Sequence, residues 1–170
     1  MIVFEEQLGR LIEVLPPITD AKDNEFSVNY NWGTANVLAD YLTLNQKRSF
    51  PLIWLEDGED SHNAYGGTVT RNARIVILNE TQAPSEFNPY QYQYDFSLIL
   101  QPIADNLLIA LQNSGISNYK IDSLKTQRIT KYSMREVDKT LVYICNAIII
   151  KAEITFNNFS SCLSEIKFNN

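Results

Sequence analysis

Hydrophobic positions along this chain alternate between helical and strand periods, and the longest helical stretch covers residues 95–115. At about 100° per residue, Phe96, Ile99, Leu100, Ile103, Ala104, Leu107, Leu108, Ala110 and Leu111 share one half of the wheel, with Gln101, Asp105, Asn106 and Gln112 opposite. This is a core helix. Asn113, Ser114 and Gly115 supply its stop, since glycine accepts left-handed backbone without steric cost. Leu98, Pro102 and Ile109 draw a second, thinner apolar stripe on the polar half, so the helix has something to touch on two sides. Asn88 and Gln91 suit a capped start near Pro89, in which case Pro102 should kink the helix.

Three- and four-residue spacing of Val3, Phe4, Gln7, Leu8, Leu11, Ile12 and Leu15 predicts a first helix, closed by Pro16-Pro17. Residues 18–31 are polar and read as an irregular connection ending in an extended FSVNYNW stretch. Thr34 caps a short second helix over residues 35–45, with Val37, Leu38, Tyr41 and Leu42 on one face. Residues 50–55 form a strand that stops at Glu56-Asp57-Gly58, and residues 73–78, apolar on both faces, form a buried one. Together they make a long hairpin whose connection, residues 57–70, is long enough to meet a partner.

Residues 119–130 alternate weakly, as a strand of modest burial, and residues 131–139 read as a polar loop. The clearest strand is 141–157, with Ile148, Ile150, Ala152, Ile154 and Phe156 on one face and Ile149, Lys151, Glu153 and Thr155 on the other. The predicted fold is a single α+β domain: a mainly antiparallel four-stranded sheet with a long hairpin, packed against two or three helices. Residues 1–33 are its N-terminal helix and connection, 34–157 its core and 158–170 a C-terminal arm.

The 170 residues suffice for one self-sufficient core. A net charge of −6 speaks against phosphate-backbone binding and sequence-specific nucleic-acid recognition, although Lys120, Lys125, Arg128, Lys131 and Arg135 gather locally. Glu5 and Glu6 interrupt any secretory leader, and residues 141–150 are too short an apolar run to cross a membrane, which places the chain in the cytosol. Cys145 and Cys162 lack metal-ligand spacing and read as reduced thiols.

Candidate chemistry is sparse. His62 is the single histidine and follows the acidic run Glu56, Asp57, Glu59 and Asp60, but neither an EF-hand ligand order nor a nucleophile elbow accompanies it. Gly66-Gly67 lacks the Lys-Ser/Thr of a nucleotide loop. No catalytic, cofactor-binding or metal residue is therefore assigned. What remains is aromatic and apolar surplus: Trp32, Tyr65, Tyr90, Tyr92, Tyr94, Leu98 and Ile109 are the candidates for a subunit interface. Core packing is the first reading of both Trp32 and Trp54, and Trp32, beside Gly33, is the better candidate of the two for partner contact.

The segments PLIWLEDG, RNARIVILNE, FSLILQPIADNLLIALQNSG and YICNAIIIKAEITF, in that order, resemble the tail-terminator, tail-completion and related neck (head–tail connector) proteins of tailed bacteriophages. The resemblance covers residues 34–157. It implies a structural virion protein that assembles in the bacterial host cytoplasm into a homo-oligomeric ring at the neck/tail junction, contacting neighbouring neck and tail proteins, without enzymatic activity or cofactor. Two rival readings stand beside it. One is a monomeric cytosolic binding module for a protein or glycan, built on Trp32 and the Tyr90/Tyr92/Tyr94 group. The other is a metal-dependent enzyme using the His62 loop.

Overall fold

A computed structural model of the protein describes residues 2–20, 23–45, 50–63, 67–80, 93–135, 141–157 and 166–168. Helix α1 (Phe4–Glu13) buries Phe4, Leu8, Leu11 and Ile12 of the stripe that its spacing predicts, while Val3, just before it, is exposed. A two-stranded ribbon follows, β1 (Ile18–Thr19) with β2 (Glu25–Phe26), and then β3 (Asn29–Gly33) and α2 (Ala35–Asn45). Thr34 caps α2 by accepting the Val37 N–H at its Oγ1, 3.3 Å away. Next come β4 (Leu52–Glu56), β5 (Ser61–His62) and β6 (Thr68–Glu80). A π-helical segment, Asp95–Leu100, leads into α3 (Gln101–Asn113), and β7 (Ser117–Tyr119), β8 (Lys125–Arg135) and β9 (Leu141–Asn157) complete the order.

The main sheet has seven strands and is mixed, not four-stranded. Its path runs β3-β4-β6-β9-β7, with β5 also on β6 and β8 also on β9. The β3–β4 pair is parallel and the others antiparallel. The extra strands arise where side-chain alternation is weak but a long neighbour offers a free backbone ladder. The best example is β8, which continues to Arg135 along β9 through two register irregularities and so overturns the polar loop expected from residue 131. The strand expected over 119–130 is divided into β7, a 3-10 turn at Ile121–Ser123 and the start of β8. In the same way β6 outruns the apolar stretch 73–78 at both ends because β9 pairs it throughout.

Strand parity gives the sheet two unlike faces. On one, Ile53, Leu55, Ile75, Ile77, Ile148, Ile150, Ile154 and Phe156 pack beneath α1 and α3. On the other, Leu38 and Leu42 of α2 cover Leu52, Trp54, Val76, Leu78, Ala147 and Ile149. Beyond Ile149 that second face turns polar, at Lys151, Glu153 and Thr155, and is at least partly open.

The core helix buries the half-wheel expected of it, except that Leu108 is half-buried, and it ends before Gly115, whose φ is +72°. Asn106, expected on the wet side, is buried. Pro102 sits at the start of α3 directly behind the π-helical turn, where Gln101 donates its N–H to the Phe96 carbonyl. That wider turn accommodates a residue without an N–H, in place of a kink in a regular helix. The start expected near Pro89 lies outside the described residues.

Candidate functional site

Where the β4–β5 connection passes α1, the core-facing parity of β6 is broken by a charge. Val69, Ala73, Ile75 and Ile77 are core residues, and between them Arg71 is only 4% exposed. Its Nη2 donates to Glu5 of α1 and its Nε to Asp60, each at 2.6 Å, while its guanidinium carbon lies 4.5 Å from the centre of the Phe4 ring. Nη1 is buried and without a hydrogen-bond partner among the described residues. Burial disfavours the cation, but the hydrogen bonds and charges of Asp60 and Glu5 outweigh it and hold the pKa above the ordinary arginine value. Beside them Tyr30 donates its hydroxyl to the Glu5 carbonyl at 2.9 Å, and burial, followed by the Glu5 charge, raises its pKa.

This arrangement fastens α1 and the acidic connection to the sheet. It commits the Asp60 carboxylate to Arg71 and so takes it away from any cluster around His62, which is exposed on β5. Among the described residues no group of three or more His, Cys, Asp or Glu could hold a metal ion. Cys145 is a core thiol whose pKa is pushed up to about 12, by burial first and the Glu80 charge second, far from the range of a reactive thiolate. A second buried polar group lies under the core helix: Asp95 accepts from Asn146 Nδ2 at 2.9 Å, and burial raises its carboxyl pKa against the opposing hydrogen bonds of Asn146 and Asn79. An open cleft of about 490 Å³ between α1 and β2 is lined by Ile12, Leu15, Phe26 and Val28, with Glu13 and Glu25 among its walls.

No protein-family model matches this chain, and no curated protein matches it. Its surfaces therefore carry the reading.

The predicted interface residues that the structure describes belong to three parts of the chain: β3, the π-helical segment with its flank, and α3. Trp32 is 48% exposed on β3, its ring stacked on Tyr30 at 6.2 Å between centroids. Leu98 is 39% exposed on the π-helical segment, Ile109 is half-buried on α3, and Tyr94 packs against the main core. Tyr65, Tyr90 and Tyr92 lie outside the described residues. Trp54 is fully buried and donates its indole N–H to the Gly33 carbonyl at 3.0 Å. Among the described residues no helix is long and apolar enough to cross a membrane.

Two features escape the linear reading. Arg71 stands in core phase on β6, a sign available in the sequence once the strand is extended beyond residue 73. The other is a row of like charges: Arg74 faces Lys151, and Lys151 faces Lys125, on three adjacent strands. Only the register brings these three together. Glu56 pairs with Arg74, while Lys125 and Lys151 are exposed.

Proposed function

We propose that this chain is a structural virion protein of a tailed bacteriophage, of the tail-terminator or tail-completion type, forming a homo-oligomeric ring at the neck/tail junction. It would assemble in the host cytoplasm and contact neighbouring neck and tail proteins, without a catalytic centre. The observation that carries the reading is the pair of outer strands: β3 and the eleven-residue β8 stand at opposite sides of one sheet, each with one strand neighbour among the described residues. Such strands are templates for a further chain, and a subunit that meets neighbours on two sides needs two of them. Support comes also from the order of segments, since the four stretches that carry the phage resemblance are β4, β6, the core helix and β9, the centre of the fold.

The test is the mass of the tag-free protein by light scattering over a concentration series, with negative-stain imaging of any large species. Closed rings of uniform size are expected. A monomer at every concentration counts against the ring and favours the binding-module reading, for which the cleft beside Phe26 is the recess to probe.

A further inference from the structure

The register of the sheet aligns its two outer strands. Following the pairings across β3, β4, β6, β9 and β8, Asn29 is level with Leu52, Leu78, Ala147 and Ile129. Trp32 is level with Leu55, Ile75, Ile150 and Thr126. Four continuous rows therefore cross the molecule, with residues 29–32 at one end and 129–126 at the other. One parallel pair and three antiparallel pairs leave β3 running opposite to β8. A copy placed so that it continues the sheet, with the sheet's own twist, thus presents its β3 to β8 in antiparallel orientation and at the same level.

Charge follows the same polarity. Residues 1–63 hold eleven Asp and Glu against four Lys and Arg, and these residues build the β3 side with α1 and the acidic connection. The β8 side carries Lys120, Lys125, Arg128, Lys131 and Arg135. Next to the last of these rows Lys125 and Lys151 stand directly opposite each other, an arrangement that is unfavourable unless an anion lies near. On the far side Gly33 pairs with Glu56, whose carboxylate is on the same face and reaches Arg74.

Resting on the ring reading, we infer that copies of this chain join head to tail through their sheet edges: β8 of one copy pairs antiparallel with β3 of the next. Lys125 comes level with the next copy's Gly33, beside Glu56 on the same face, and the next copy's Trp32 is covered opposite Thr126. Unlike surfaces in contact make the interface heterologous, so repetition closes a ring or extends a filament. Pairing β8 with itself about Arg128 is disfavoured, because it would set Lys125 against Lys131 and Arg128 against its own copy.

The test is sedimentation velocity of the full chain at low and high salt, with two charge-reversed variants, K125E/K151E and E56K, each verified as folded by circular dichroism. Wild type should associate beyond the dimer, less so at high salt, with blue-shifted Trp32 emission in the associated form. Each variant alone should sediment as a monomer. An equimolar mixture of the two should reassociate, because every contact between unlike variants again pairs opposite charges. Association that neither reversal changes, or that mixing does not restore, overturns the edge pairing and leaves a ring built on other surfaces. A wild-type monomer at every concentration overturns both.

Discussion

The Arg71 cluster makes a stability prediction in which removing charge first harms and then helps. Arg71 is 4% exposed and its two carboxylate partners are 17% and 21% exposed, so the cation depends on them for most of its compensation. Replacing both, in E5Q/D60N, keeps hydrogen-bond acceptors of similar shape but leaves a buried cation without counter-charge, at a cost of about 3 kcal/mol, the lower end for a broken buried pair. For a chain of this size each kcal/mol shifts Tm by roughly 2–4 °C, so thermal unfolding followed by circular dichroism should fall by about 6–12 °C. Adding R71M should recover more than half of that loss, since a methionine can lie on Phe4 and its edge-on neighbour Phe156, 5.0 Å away, without any charge to satisfy. The reasoning fails if E5Q/D60N unfolds within about 2 °C of wild type, less than the shift for 1 kcal/mol. It fails equally if R71M lowers the double variant further.

Two more perturbations test the remaining internal devices. Burial raises the Asp95 pKa, so its contribution to stability is fully present below the unfolded value, about pH 4, and is lost as pH rises through the folded value. The amide introduced by D95N does not titrate and has no such loss: the Tm difference between variant and wild type should climb from about pH 4 and then level off, and a difference that is flat or falls with pH refutes the assignment. At Gly33, φ is +139° and an added Cβ would lie 3.1 Å from Val37 Cγ1. G33A should therefore lower the urea-unfolding free energy by about 1–3 kcal/mol, and should still lower it in a V37A background, because shortening Val37 removes the Cγ1 contact but leaves its Cβ at 3.2 Å and the backbone strain; an unchanged midpoint refutes this.

The features legible in the sequence are those in which side-chain pattern and backbone agree. Val3 to Leu15 and Phe96 to Leu111 have a clean helical period, and both helices form over it. In β9, Ile148 to Phe156 alternates as expected, with one face core and the other half wet. The strand expected over 119–130 lacks strong alternation and is split into β7 and the start of β8, both held by β9; what the pattern misses is β8 beyond residue 130, carried by the ladder of β9, and β5, two residues placed against β6. Asn106 is buried although it lies on the polar side of the wheel, because a wheel knows nothing of what packs beside it. Of the two tryptophans, both read first as core, Trp54 is buried and Trp32 is exposed. The Arg74-Lys151-Lys125 row was not legible, because 77 residues of sequence separate Arg74 from Lys151 and only the pairing register closes that gap.

The parallel β3–β4 pair, absent from the expected fold, decides how copies can meet. The chain passes from β3 to β4 through α2, and a crossover of that kind is what parallel neighbours require. Had a tight hairpin joined them instead, β3 would run in the same direction as β8, and a copy continuing the sheet would offer a parallel edge, the slightly less stable pairing per residue. The same crossover lays α2 on the second face, where Leu38 and Leu42 cover Trp54, Val76 and Ile149. One row further along, Lys151 is exposed. Placement of a single helix thus links three properties: the direction of one outer strand, the burial of the second apolar face, and the exposure of the cationic row that the inferred contact would neutralise.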